Sequence, residues 1–479
     1  MPLVKTWQLI AGSAVAGLAL SAVTVAAAGP WDSGQRKAER DRAASWSHTG
    51  GGDHVAGGLP RPAPSAPGVL PGIAPRTGAP DQPAAAAPGG SAALAGVLGP
   101  LLADRALGTV RSASVVDTAT GRVLYESGPG EAMTPASTIK IATAAAALAA
   151  LGPEHRIRTT VVPGAGPGQI VLVGGGDPSL TAKKKSPAGS GGSLVALAAD
   201  TAQALKAAGT DTVTLGYDDF LYTGAVRHPI GRNDNIAPVT ALTADEGRPD
   251  ESVSGPVERS DDPSTDTAAA FAALLRERGI KVTGDPARTK AAAGAQPLAA
   301  THSTPLAGLV ERMLTNSDND IAEALARQTA LAAGAPASFE GAEKAVSDEL
   351  AALGLDVTGS RFADGSGLNR ADKVSTRLLT GLLAKAADPR HPELRPVLTG
   401  LPVAGFTGTL RARNAGTSPA AGLLRAKTGT LTGVNSLAGT AVDPSGRLLA
   451  FAFLTANSTD GPAAEKGLDK LAAAVATTP

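Results

Sequence analysis

Nine prolines fall between residues 60 and 88, two to five apart, among Gly, Ala and Ser. Proline has no N–H to give to a helix or sheet ladder, and it disfavours helix at the residue before it. Residues 30–92 therefore cannot build a packed core and read as a semi-extended linker. This stretch cuts the 479-residue chain into a short N-terminal piece and a long body that begins near Ser91. Its expected role is that of a spacer.

Residues 1–29 point to export. Lys5 precedes an uncharged run from Thr6 to Trp31, with an apolar centre from Leu9 to Ala28. Ala26-Ala27-Ala28 suits an A-x-A cleavage site. The apolar centre is also long enough to span a bilayer. A cleaved signal peptide and an uncleaved membrane anchor both fit, and the linker would then hold the body away from the membrane.

Lys plus Arg equals Asp plus Glu at 43 each, so no field draws nucleic acid or anionic lipid. Cysteine is absent, which excludes disulfides, thiolate metal sites and a cysteine nucleophile. Hydrophobic residues make up 43% but aromatics only 3%, so cores must be filled largely by Ala, Leu and Val.

Beyond the linker the patterns predict a helix at 93–105, then strands Ser112–Val116 and Arg122–Tyr125 joined by a Thr-Ala-Thr-Gly turn. Thr134 suits the N-cap, Pro135 the first turn and Gly152 the stop of an Ala-rich helix. From 154 to 299 short strands (Arg158–Val162, Gln169–Val173, Thr212–Leu215) mix with loops and one helix near 266–278. This reads as a mostly-β insertion between two halves of one domain, 93–153 and 300–479. In the second half, helices Pro305–Leu314 and Asp320–Ala333 precede strands Leu423–Thr428, Ser436–Val442 and Arg447–Leu454 and a last helix near 462–476. The fold class is α+β.

Three motifs carry the chemistry. Ser137 and Lys140 lie three apart on a helix and share a face, so the amine can reach the hydroxyl. A lysine serves as a base once burial or a second cation lowers its pKa, and Lys427 is available as that cation. A surface Ser and Lys on an Ala-rich helix is the plainer explanation of this pair alone. Ser317-Asp318-Asn319 falls in the turn between two helices, where Ser317 can relay a proton and Asn319 can bind a carbonyl and orient Lys140. An ordinary helix cap by Ser317 or Asp318 competes. Lys427-Thr428-Gly429 sits on a strand that can receive an extended peptide, with Gly429 allowing close approach. The N–H groups of Thr430 and Ser137 would then form an oxyanion hole; a polar strand end is the plainer alternative. Singly each motif is weak. In this order they describe a serine acyl-transfer site worked by lysines.

Other constellations are missing. The six histidines are scattered, no G-x-S-x-G elbow occurs, and no H-E-x-x-H or clustered carboxylate/histidine set suggests a metal. Gly174-Gly175-Gly176-Asp177 lacks the pattern of a nucleotide loop. No metal or cofactor is expected.

With these residues, the chain resembles the D-alanyl-D-alanine carboxypeptidase/endopeptidases of the class C low-molecular-mass penicillin-binding family, peptidase family S13. The resemblance covers about 95–477. It extends to Leu172–Pro178, Tyr217-Asp218-Asp219, Ala237–Leu242, Asp364-Gly365-Ser366-Gly367-Leu368, Leu401–Gly405 and Gly408–Arg411. It implies a serine β-lactamase/penicillin-binding transpeptidase-like domain, an antiparallel sheet with helices, split by the insertion. It implies Ser137 as nucleophile and Lys140 as general base, with Ser317 and Asn319 lining the cleft. Lys427, Thr428 and Gly429 would bind the substrate. The partners so implied are peptidoglycan stem peptides ending in D-Ala-D-Ala, with β-lactams as inhibitors, no nucleic acid, and room for a membrane tether. A serine β-lactamase shares the motifs, but no E-x-x-L-N segment stands out. A non-catalytic wall-binding or β-lactam-sensing protein is the third reading, and the intact Ser137, Lys140 and Lys427 argue against it.

Overall fold

The computed structural model describes residues 90–185 and 191–479. The expected signal or anchor at 1–29 and residues 30–89 of the expected 30–92 linker lie outside the described residues, while 90–92 open the first helix. Among those residues, no helix is long and apolar enough to cross a membrane.

Helix α1 (Gly90–Leu102) leads into strands β1 (Val110–Asp117) and β2 (Val123–Ser127), then a 3₁₀ turn (Ala136–Ile139) that runs straight into α2 (Lys140–Leu151). Next come β3 (Arg158–Pro163), β4 (Gln169–Val173), α3 (Leu194–Ala207), β5 (Thr212–Asp218), α4 (Pro263–Glu277), β6 (Lys281–Val282), β7 (Ala287–Arg288) and β8 (Ala299–His302). Helices α5 (Leu306–Asn316), α6 (Asn319–Ala332), α7 (Phe339–Ala352), α8 (Thr376–Ala387) and the short α9 (Arg395–Thr399) follow. Strands β9 (Leu424–Leu431), β10 (Val434–Val442) and β11 (Leu448–Ala456) and helix α10 (Gly461–Thr477) complete the chain.

The first sheet has the order β2-β1-β11-β10-β9 and is antiparallel throughout. Its ladder joins the two ends of the described chain, since Val115 pairs with Phe451. Strand β11 is apolar on both faces, so helices must cover both. Leu449, Phe451 and Phe453 pack with α1 and α10, while Ala450, Ala452 and Leu454 pack toward α2, α5, α6 and α8. Helix α2 lies inside the second cluster, and its run from Lys140 to Leu148 is buried without a break. A helix buried on every side needs small residues, which is what its Ala-rich sequence provides.

The second sheet, β6-β5-β4-β3-β8 with β7 beside β5, belongs to the 154–302 segment and has its own apolar cluster. The segment carries more helix than the mostly-β expectation. Strands β4, β5 and β6 run parallel, and parallel neighbours require crossovers; α3 and α4 supply them. Helices α3, α7 and α8 are also absent from the sequence reading.

Candidate active site

Ser137 does not sit where a simple capped helix would put it. Thr134 is no N-cap: its hydroxyl donates to the Arg370 carbonyl, and no side chain caps the turn. Instead the chain enters through Ala136 at φ +48°, a left-handed conformation that alanine adopts only at a cost. Two glycines hold that backbone from either side. A Cβ at Gly429 would collide with Ser436 Oγ and stand 2.7 Å from Pro135 O and 3.0 Å from Ser137 N. A Cβ at Gly367, itself at φ +85°, would collide with the Ala136 carbonyl and stand 2.9 Å from Ser137 N. Gly429 thus has a reason to be glycine besides substrate approach: the edge strand packs on the serine's own turn. At the far end, Gly152 stops α2 at φ +80°, as its position in the sequence suggests.

Lys140 is fully buried, and its Nζ reaches three acceptors. These are Ser137 Oγ at 3.2 Å, Asn319 Oδ1 at 2.7 Å and the Ser366 carbonyl at 2.5 Å. Burial lowers its pKa to about 8, against the pull of the carboxyl groups of Asp364, Asp318 and Glu323. The second cation foreseen in Lys427 leaves its mark on the other partner. Lys427 is held well below the ordinary lysine range, first by burial and then by Lys140 and Arg413.

Ser317 and Asn319 meet the site from the α5–α6 turn. Ser317 adopts φ +60° and ends α5, and its Oγ accepts from Lys427 Nζ at 2.9 Å. Asp318 is the cap of α6, accepting from Ile321 N. The cap and the motif are therefore compatible: the cap residue turns its two neighbours toward the lysines. Asn319 Nδ2 donates to the Asn235 carbonyl of the inserted segment, 3.0 Å away.

Strand β9 is the edge of the first sheet; its start at 424–426 bonds to residues 402–404, and among the described residues no strand pairs with the rest. Lys427 Nζ also donates to Thr428 O at 2.8 Å, and Thr428 Oγ1 pairs with Thr409 Oγ1 at 3.0 Å. Thr430 is exposed, and its Oγ1 donates to Glu465 of α10. Ser137, Ser317, Asn319, Leu368 and Thr430 line one cleft of about 230 Å³, with Asn235, Arg248 and Arg259 of the inserted segment on its other wall.

Sequence reasoning missed the shell behind Lys140. Asp364 accepts from Ser366 N, Gly367 N and Asn369 N, and so shapes the 364–369 loop that presents the Ser366 carbonyl. Glu323 accepts from Gly365 N and Ser366 N and pairs with Arg327 one turn on. Thr143 donates to the Gly365 carbonyl at 2.7 Å. The Asp-Gly-Ser-Gly run was a visible signal of a tight loop, but nothing local to it names a lysine as its partner.

Two buried acid clusters need a metal test. In His228–Glu323–Asp364 the oxygens are taken by backbone N–H groups, His228 and Arg327. In Glu246–Asp318–Asp320 they face Arg248, Arg259 and Arg312. Each is an ion-pair network, in which Asp318 Oδ2, Arg259 Nε and two Arg327 nitrogens are nevertheless buried without a hydrogen-bond partner.

The fold is shared with a solved structure, penicillin-binding protein 4 from Haemophilus influenzae. The TM-score is 0.64 at 24% identity, over 78% of this chain and 97% of that one. The class is therefore that of the transpeptidase-like folds. Residues 94–256 and 249–476 match the D-Ala-D-Ala carboxypeptidase 3 (S13) family. A carboxypeptidase DacB of Mycolicibacterium smegmatis is 37% identical over 390 residues, 79% of this chain and 83% of the relative. A carboxypeptidase of Mycobacterium tuberculosis is 37% identical over 437 residues, 88% and 90% of the two chains. The chain belongs to the S13 family and, with it, to the serine-type D-Ala-D-Ala carboxypeptidases.

Proposed function

We propose that this carboxypeptidase works through an acyl-enzyme on Ser137, with Lys140 as general base. The contact of Lys140 Nζ with both Ser137 Oγ and Asn319 Oδ1 carries the reading. Lys140 takes the proton as Ser137 Oγ adds to the carbonyl of the penultimate D-Ala. The N–H groups of Ser137 and Thr430 hold the oxyanion, each such donor being worth roughly 100- to 1000-fold in rate. The intermediate collapses by breaking the C–N bond, and the proton that Lys140 took leaves on the amine of the terminal D-Ala, with Ser317 as its relay, so that Lys140 is free base again. Water then adds to the ester under the same base and frees Ser137. Before cleavage, Lys427 and Thr428 bind the terminal carboxylate, and the edge strand β9 receives the peptide backbone beside Gly429.

The substrate is the peptidoglycan stem peptide ending in D-Ala-D-Ala, and D-amino-acid cross-links are cut by the same step. Residues 93–153 and 300–479 form the catalytic domain and 154–299 its insertion. Action is outside the cytoplasm, with residues 1–29 as signal or membrane tether.

The test is intact-protein mass after mixing the chain with benzylpenicillin. A lasting adduct mapped to Ser137, absent in Ser137→Ala, is expected. Rapid loss of the drug without an adduct would mean a β-lactamase, and an adduct on another residue would sink the assignment.

A further inference from the structure

Helices α2 and α6 and the 364–369 loop all belong to the segments on either side of the insertion. One buried histidine reaches them from inside it. His228 is 2% exposed, lies between β5 and α4, and sets its ring edge-on against Phe339 of α7. Its Nδ1 accepts from the backbone N–H of Ile230, 3.2 Å away. That bond makes Nδ1 the bare nitrogen, so the ring proton sits on Nε2. Nε2–H points at Asp364 Oδ2, 2.8 Å away.

Besides the Asp372 carboxyl, Asp364 has four donors: His228 and the N–H groups of Ser366, Gly367 and Asn369. Three of them bend the chain into the loop that hands the Ser366 carbonyl to Lys140 Nζ and lays Gly367 on the turn before Ser137. The fourth comes from 136 residues away in sequence. The loop's own N–H groups thus shape it locally, while His228 fixes where the carboxylate stands.

We propose that His228 is a positioning residue for the acylation step: its Nε2–H anchors Asp364, and through the Ser366 carbonyl it holds Lys140 against Ser137. The inference rests on Lys140 as the base. It adds a reason for the insertion to be there, since a residue outside the three motifs sets the geometry of the first one. The charged groups that face Lys140 are Asp364, Glu323, Asp318 and Lys427, with Asp372 beside them as a carboxyl pushed up to about 10; those that face His228 are Asp364 and Glu323.

Two substitutions separate the two bonds of the ring. His228→Asn keeps an acceptor for Ile230 N–H two residues on but is too short to reach Asp364. His228→Gln keeps a donor at the reach of Nε2 but gives up the local cap. The readout is the second-order rate of acylation of the full chain by benzylpenicillin across pH, beside thermal melting of each variant. The asparagine variant is expected to lose roughly 10- to 100-fold. The acidic limb of its profile should move to higher pH, because Asp364 with one donor fewer pulls harder on the Lys140 charge. The glutamine variant should recover most of the rate even if it melts no higher. Equal rates in the two variants, or a fall in melting temperature with the limb unmoved, would make His228 a packing residue and overturn the proposal. Wild-type acylation at Ser137 and its loss in Lys140→Met test the base itself, so the two failures are told apart. If the asparagine variant does not fold, the glutamine variant alone decides: a limb shifted as far as its rate is reduced refutes the anchoring role of the donor.

Discussion

Lys140 and Lys427 are the same side chain, both fully buried, yet their surroundings differ in one respect. Lys140 meets three acceptors and has four carboxyl groups in its wider shell. Lys427 meets Ser317 Oγ and the Thr428 carbonyl, with two cations and no carboxylate among the groups that shift it. Burial penalises both charges, but only Lys140 has anions to offset the penalty. It settles at about 8, where a useful fraction is free base near neutral pH while the amine keeps its hydrogen bonds. Lys427, held well below the ordinary lysine range, lacks an anion that a substrate carboxylate would bring. On the proposed mechanism, one lysine exchanges protons and the other is prepared for a ligand.

The largest expected effect breaks the comparison outright if it fails. Lys140→Met should cost roughly 100- to 10,000-fold in the rate of acylation by benzylpenicillin, the range of a general base. Lys427→Met should instead raise KM for a D-Ala-D-Ala peptide more than it slows acylation by the drug. Equal losses from the two variants, measured by single-turnover kinetics, would erase the distinction.

Next comes the backbone that aims Ser137 at Lys140. Gly429→Ala puts a methyl against Ser436 Oγ and Pro135 O, so the 136–137 turn must shift. A drop of roughly 100- to 1000-fold in acylation, the worth of an oxyanion donor, is expected. A rate within twofold of wild type would show that β9 does not support the turn.

The pH dependence sharpens the assignment of the base. With Lys140 as the proposed base the free amine is the active form, so acylation should climb as pH rises through about 8 and then level. Between pH 6 and pH 8 the free-base fraction grows by about fifty-fold, which sets the size of the climb. A plateau already reached at pH 6.5 would take the role of base away from Lys140.

The smallest effect concerns which carboxyls act on Lys140. Burial beside Asp364 pushes Asp372 up to about 10, and its Oδ2 is buried with no donor, as suits a carboxyl that keeps its proton. A folded-state pKa above the unfolded one stabilises below about pH 4 and is lost as pH rises toward 10. Asp372→Asn removes that loss. Its melting temperature should therefore exceed wild type by on the order of 2 °C at pH 8, a gain that vanishes near pH 4. The acylation limb should stay in place, because a neutral carboxyl adds no charge at Lys140. A limb that moves by a whole pH unit would mean that Asp372 is ionised.

Much of the framework was legible from short-range pattern. The hairpin β1–β2, the three C-terminal strands, the helices on either side of Ser317 and the final helix stand within a few residues of where their periodicity suggests. Helices α3, α7 and α8 were not read. The parallel pairing of β4 with β5 was not readable either, because a strand's sequence does not say which neighbour it will take.

The site divides in the same way. That Ser137 and Lys140 face together follows from a spacing of three on one helical stretch, and the sequence alone decides it. So does the stop at Gly152, where a left-handed residue ends the helix, and the turn at Asp443–Gly446, closed by the Asp443 side chain. These depend on sterics and hydrogen bonds between residues a few positions apart. Tertiary structure decided the rest. Thr134 spends its hydroxyl on Arg370 instead of a cap, Gly429 is glycine because the serine's turn presses on it, and Lys140 owes its lowered pKa to burial, partly offset by Asp364, Asp318 and Glu323, which lie more than 170 residues away. Desolvation and long-range contact have no local signature, since both exist only once distant segments close around the same buried amine.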